Sequence, residues 1–151
     1  MALGARVSGM GRIDLFLALL VVCCSYAVIR GGTPERIVAI VIAFGVALTF
    51  LLVAPVALRY RHVELGVFAV DIASFGIVTG VAIRSERYWP LWMSALYCHQ
   101  VLSHLEFLLP GMLALTYGLL MNLWGYPILL LLAIGTWRHQ IRLKRQTASK
   151  S

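Results

Sequence analysis

Long runs of apolar residues without charge constrain the fold of this 151-residue chain more than any other feature. The run from 37 to 58 contains no charged residue at all. A helix needs about 20 mostly apolar residues to cross roughly 30 Å of hydrocarbon. The sequence therefore predicts an all-α fold, a polytopic bundle of membrane-spanning helices.

The composition excludes an ordinary soluble domain. Apolar residues make up 61% of the chain and charged residues 13%, whereas soluble domains are about 45–50% apolar and about 25% charged. A single small domain exposes a large part of its surface, so it cannot hide this much apolar area in its own core. The excess must face lipid.

Charged loops and helix breakers divide the chain into five predicted spans. Arg30, Gly31 and Gly32 open the first loop, and Pro110 with Gly111 separates the last two spans. A kink is expected near Pro127. The predicted spans are 13–29, 37–58, 63–83, 91–109 and 112–137. Residues 1–137 then form a single transmembrane domain, and residues 138–151 form a basic cytoplasmic tail.

The distribution of Lys and Arg predicts the orientation. With five spans, nine of the 13 basic residues lie on the side that holds the 30–36 loop, the 84–87 loop and the tail. Cytoplasmic loops carry the excess of positive charge, so the N-terminus is expected outside and the C-terminus in the cytoplasm. Alternatively, residues 1–27 are a cleaved signal peptide, which leaves four spans.

The net charge of +7 is explained by these loops and the tail. It indicates contact with an anionic lipid surface and not with nucleic acid. We therefore expect two kinds of partner, the lipid bilayer and other membrane protein subunits.

The predicted fourth span is the one helix rich in polar groups. At about 100° per residue these groups fall on one side, and Ser94, Cys98 and every leucine except Leu96 fall on the other, lipid-facing side. The polar residues are His99, Gln100, Ser103, His104 and Glu106. Such a face must meet protein, water or a ligand.

Asp71 on the third span is the expected internal partner of that face. The third and fourth spans are joined by a short loop near Glu86, so they should be antiparallel neighbours. Counting outward from this loop places Asp71 level with Val101, between His99 and His104. A carboxylate in hydrocarbon is costly unless it is paired or protonated.

The polar cluster is open to four interpretations. Its members hydrogen-bond between helices, relay protons or ions, bind a metal, or bind a haem or pigment. His99 and His104 lie about 140° apart on the helix, so they cannot hold one iron from both sides. His99 and Glu106 are about 10 Å apart along the axis, which disfavours one shared metal ion.

Other motifs add little chemistry. Gly76 and Gly80 form a Gly-x-x-x-Gly pair, which indicates a helix-packing face. There is no motif for a nucleophile with its base, a phosphate-binding loop or a zinc site. We therefore expect no enzymatic activity, no catalytic residue, no metal and no cofactor.

Three segments resemble those of small uncharacterised multi-span membrane proteins of alphaproteobacteria. They are 31–36 (GGTPER), 87–92 (RYWPLW) and 133–139 (AIGTWRH). The resemblance implies a bacterial inner membrane location and no particular chemistry. The leading functional hypothesis is a non-enzymatic accessory or assembly subunit of a larger membrane complex. The alternatives are a small proton or ion transporter that uses the polar face, and a haem- or pigment-binding subunit.

Overall fold

The computed structural model describes residues 2–52, 65–104 and 125–149. These residues form five helices and no strand, so the predicted all-α helical bundle is confirmed. The helices are α1 Ala2–Arg30, α2 Thr33–Leu52, α3 Leu65–Arg84, α4 Trp89–Ser103 and α5 Gly125–Ala148.

Three of the helices are long and apolar enough to cross a membrane. The windows Ile13–Arg30, Thr33–Leu52 and Leu65–Arg84 have mean hydropathies of 2.1, 2.2 and 2.0. No more than 22% of any of these windows is buried inside the bundle. Their apolar surface therefore faces outward, as expected of helices in contact with lipid.

Neighbouring helices run in alternating directions. Thr79 Oγ1 lies 2.7 Å from Ser94 Oγ, and this contact fixes an antiparallel α3–α4 pair. In contrast, α1 and α5 run parallel, because Phe16 packs against Tyr126 while Gln140 Nε2 donates to the carbonyl of Arg30. The α1–α2 loop, the α3–α4 loop and the region around residue 139 therefore share one end of the bundle, called here the basic end.

The core lies where the five described helices meet. Its most buried apolar residues are Ala27, Val38, Ala39, Val78, Met93, Leu129 and Leu132. Gly135 on α5 is required by this packing, because a Cβ there would lie 2.8 Å from Cδ2 of Trp89. The indole of Trp89 thus packs directly on the backbone of α5.

The helix boundaries correct several details of the sequence-based picture. α1 begins well before residue 13, and α5 continues as a helix to Ala148, through most of the predicted tail. At the start of α2 the capping residue is Gly32, whose carbonyl accepts from Arg36 N at 3.1 Å. The predicted turn at Pro110 and the ends of several predicted spans lie outside the described residues.

Candidate functional site

A cluster of four polar residues joins α3 to α4 inside the bundle, and we call it the Asp71 cluster. His104 Nε2 donates to Asp71 Oδ2 at 2.8 Å. Gln100 Nε2 donates to Asp71 Oδ1, also at 2.8 Å. Ser103 Oγ donates to the backbone carbonyl of Gln100 at 2.6 Å. The helix register therefore places Asp71 against the polar face of α4.

The local helix geometry explains which α4 residues reach Asp71. Gln100 and His104 are four residues apart, so they lie one above the other on the same stripe of the helix. Phe68, one turn before Asp71 on α3, packs its ring edge-on against His104 at a centroid distance of 5.2 Å. The imidazole is therefore held by a hydrogen bond on one side and an aromatic ring on another.

The Asp71 cluster is buried, and its carboxylate oxygens find hydrogen-bond donors within the cluster. Asp71, Ser103 and His104 are each at most 5% exposed. Each carboxylate oxygen of Asp71 has its own donor, which offsets much of the cost of removing the carboxylate from water. Asp71 lies thirteen residues before Arg84, roughly 20 Å along the axis, so the cluster sits deep in the bundle.

His99 does not join this cluster. It is exposed and lines an apolar groove between α4 and α5. Gln100 and His104 therefore turn towards α3, whereas His99 lies on the side of α4 that faces α5. Ser94 was expected to face lipid, but it contacts Thr79 on α3. Glu106 lies outside the described residues.

A second cluster ties three segments together at the basic end, and we call it the Arg87 cluster. Arg87 Nη1 makes an ion pair with Oε1 of Glu35, a residue with no solvent exposure. Arg87 Nη2 donates to His139 Nδ1 at 3.0 Å. The loop before α4 is thereby connected to both α2 and α5.

Glu35 also caps its own helix. Its Oε2 accepts from the backbone N–H of Gly32 at 3.0 Å, which is the back-bond of a capping box, from the third helical residue to the cap. A side chain on Gly32 would lie 3.2 Å from both Glu35 Oε2 and the His139 ring. The absence of that side chain lets the three segments meet.

Sequence reasoning missed the Arg87 cluster. From the sequence, Glu35 and Arg87 belong to the charged loops that divide the spans, and Arg87 is one of the basic residues that set the orientation. The available signal was that their loops are predicted on the same side of the membrane and that each loop contains both acidic and basic residues. Nothing in the spacing indicated His139, because the tail was expected to leave the bundle.

The Arg87 contact sets the protonation state of His139. A guanidinium can only donate hydrogen bonds, so His139 Nδ1 must accept and the ring must be neutral. Burial lowers the pKa of His139, and the positive charges of Arg87, Arg142 and Arg36 lower it further, against an opposing effect of Glu35. The surroundings therefore favour the neutral ring that the hydrogen bond requires.

No protein-family model, curated protein or solved structure matches this chain. The resemblance to small membrane proteins of alphaproteobacteria stays a prediction.

Two other features considered from the sequence are a metal site and the Gly76–Gly80 packing face. Within the described ranges, no group of three or more His, Cys, Asp and Glu residues is placed to hold a metal ion. Among the described residues nothing lies within 4 Å of a Cβ added at Gly76, and at Gly80 the nearest atom is Nη1 of Arg84 at 3.5 Å. The described helices therefore make no close packing contact through this glycine pair.

Proposed function

We propose that this chain is a non-enzymatic accessory or assembly subunit of a larger membrane protein complex. One observation carries the proposal: in the part of the chain that the structure describes, both buried carboxylates are paired with donors from within the chain. Asp71 is matched by Gln100 and His104, and Glu35 by Arg87 and the Gly32 amide. Both clusters act as ties between helices.

The outer surface supports the same proposal. Large apolar side chains are exposed on every described helix, for example Val22 on α1, Phe44 on α2 and Ile77 on α3. The described residues outside the helices are short connections and add no soluble domain. Such a molecule has little surface for a soluble reactant and much surface for lipid and neighbouring helices.

The membrane and the orientation are part of the proposal. The resemblance to alphaproteobacterial proteins supports a multi-pass location in a bacterial inner membrane. The Arg87 cluster and the Gln140–Arg30 contact gather three basic segments at one end. By the excess of positive charge, that end faces the cytoplasm and the C-terminus lies there.

Purification from native membranes tests the proposal. The tagged chain, expressed at its natural level and extracted in mild detergent, should co-purify with a larger membrane protein in a fixed ratio. Deleting the chain should lower the amount of that protein in the membrane. A monomer without any stoichiometric partner, together with unchanged membrane protein levels after deletion, would contradict the proposal.

The Asp71–His104 pair favours a second candidate function, proton movement through the bundle. A carboxylate and an imidazole 2.8 Å apart and buried within helices are the residue types of intramembrane relays. Purified protein in liposomes should then carry a proton flux that Asp71→Asn abolishes. No flux above that of empty liposomes would remove this candidate and leave the structural role.

A further inference from the structure

An apolar groove runs between α4 and α5 on the outside of the bundle. Its volume is about 420 Å³, within the range of about 300–1,000 Å³ typical of ligand sites. The groove is formed by Trp92, Leu96 and His99 on α4 and by Leu130, Leu131 and Ile134 on α5. Among the described residues it is open along one side, so an occupant could enter from the surrounding lipid.

The α5 wall of the groove changes from apolar to cationic towards the basic end. Leu130, Ile134, Arg138 and Arg142 are spaced four residues apart, so they form a stripe in which each residue lies about one turn beyond the last and which winds by about 120° around the helix. Leu130 is 62% and Ile134 is 39% exposed, and the two arginines are exposed beyond them. The stripe extends over roughly 18 Å from Leu130 to Arg142.

The arginines of this stripe belong to a crowded set of positive charges. Within the described ranges, neither Arg138 nor Arg142 makes an ion pair. Burial lowers the pKa of Arg142, and the nearby charges of Arg87 and Arg138 lower it further, against an opposing effect of Glu35. Glu35 is already paired with Arg87, so the positive potential of these arginines favours an anion from outside the chain.

The α4 wall ends in aromatic residues near the same mouth. Trp92 is 69% exposed, and Tyr88, one turn nearer the basic end, is also exposed. Exposed Trp and Tyr are typical of the boundary between hydrocarbon and headgroups. The arginines therefore lie where phosphate groups of the bilayer are found, and the groove lies where acyl chains are found.

We propose that the α4–α5 groove binds an anionic phospholipid. An acyl chain lies along Leu130 and Ile134, and the phosphate meets Arg138 and Arg142. A free phosphate or a nucleic acid would use the two cations but would leave the apolar part of the stripe uncovered. Only an amphiphile with an anionic head matches both parts of the stripe.

Lipid retention measured on the full chain tests this site. The protein is purified in mild detergent, mixed with equal amounts of phosphatidylglycerol and phosphatidylcholine of the same acyl length, and examined by native mass spectrometry. We expect preferential retention of phosphatidylglycerol. The double variant Arg138→Gln, Arg142→Gln should weaken this retention about tenfold or more, because each cation near an anionic lipid surface contributes substantially.

Matched variants separate the site from general charge attraction. Arg6→Gln with Arg12→Gln removes the same charge near the opposite end of α1 and should leave retention unchanged. Ala95→Phe fills the groove from its α4 wall and should reduce retention, whereas Ala47→Phe, an exposed position on α2, should not. Both phenylalanine variants remain outside the core, so folding is preserved.

Four results would overturn the proposal. They are equal retention of the two lipids, the same loss in both charge variants, no effect of Ala95→Phe, and full displacement of the lipid by inorganic phosphate or an oligonucleotide. This proposal is independent of the subunit role. A chain that retains phosphatidylglycerol but has no protein partner would support the lipid site alone.

Discussion

Asp71 and His104 lie 33 positions apart in the sequence and face each other inside the bundle, with Oδ2 and Nε2 separated by 2.8 Å. The contact joins the two helices of the α3–α4 hairpin about 20 Å from their connecting loop. Glu35 and Arg87 make a comparable contact at the loop end. The α3–α4 pair is thus linked deep in the bundle, and its loop is linked to α2.

We predict that the Asp71–His104 contact is energetically coupled. Asp71→Leu or His104→Leu alone leaves a buried polar group without its partner. The losses of stability in the two single variants should therefore sum to more than the loss in the double variant. A double-mutant cycle should give a coupling energy of about 1–3 kcal/mol. Unfolding in mixed micelles with increasing sodium dodecyl sulfate measures it.

The Thr79–Ser94 pair provides the control for that cycle. It joins the same two helices with a neutral hydrogen bond of 2.7 Å. Thr79→Val with Ser94→Ala should give a coupling of about 0.6 kcal/mol, the average for hydrogen bonds between membrane helices. Equal coupling energies in the two pairs would show that the charge of Asp71 does not strengthen its contact with His104.

The Arg87 cluster predicts a strong effect of removing one charge only. Arg87→Leu leaves Glu35 buried without its cation and should cost about 3 kcal/mol, at the lower end of the range for buried pairs because Arg87 is 21% exposed. Adding Glu35→Gln should restore part of this loss, since the neutral amide can stay buried. If adding Glu35→Gln lowers the stability of the Arg87→Leu variant further, the ion pair does not stabilise the basic end as we describe.

The stability of the basic end should depend on pH through His139. The pKa of His139 is lowered in the folded chain, mainly by burial, from its usual value of about 6.5. The unfolded chain therefore binds a proton more readily, so stability is complete above about pH 6.5 and falls as pH drops towards the lowered value. In this window the free energy of unfolding changes by at most about 1.4 kcal/mol per pH unit.

Unfolding of the wild type and of His139→Gln between pH 5 and pH 8 measures this dependence. Glutamine carries no titratable proton, so its curve should be flatter in the window below pH 6.5. Identical curves for the two proteins would show that another group causes the pH dependence.

Two glycines in helix interiors should respond in opposite ways to alanine. Gly135→Ala places a methyl group 2.8 Å from the Trp89 ring and should destabilise by about 1–3 kcal/mol through overpacking. Gly76→Ala meets no described atom within 4 Å and should be neutral or stabilise by up to about 1 kcal/mol through helix propensity. The same micelle unfolding compares them. A loss of stability in Gly76→Ala would show that Gly76 packs against a neighbour.

The fold could be predicted from the sequence because the membrane imposes simple rules. Apolar runs, the charged loops between them and the Pro110–Gly111 break predicted five helices, and the described residues form five. The lengths of α1 and α5 were not predictable from hydropathy, because both helices continue into polar segments. The end of α5 is held by contacts of His139 and Gln140 with other segments, and such tertiary contacts leave no periodic signal.

The candidate site was partly predictable for a similar reason. Antiparallel neighbours joined by a short loop have a fixed register, so counting residues placed Asp71 at the depth of Val101, between His99 and His104, and His104 is one of its two partners. The position of His99 was missed, because a helical wheel gives angles but not the direction of each neighbouring helix. Whether the Asp71 cluster serves packing, a relay or a ligand stays a prediction.

Photo-crosslinking in intact native membranes tests the central claim, that this chain is a subunit, most directly. A photoreactive amino acid is placed at one exposed apolar position on each helix and at the buried Met93 as a control. The exposed positions are Val22, Phe44, Ile77, Leu102 and Leu130. We predict that positions on one side of the bundle form an adduct with a single larger protein, and that Met93 forms none. Lipid adducts alone at all five positions would contradict the claim.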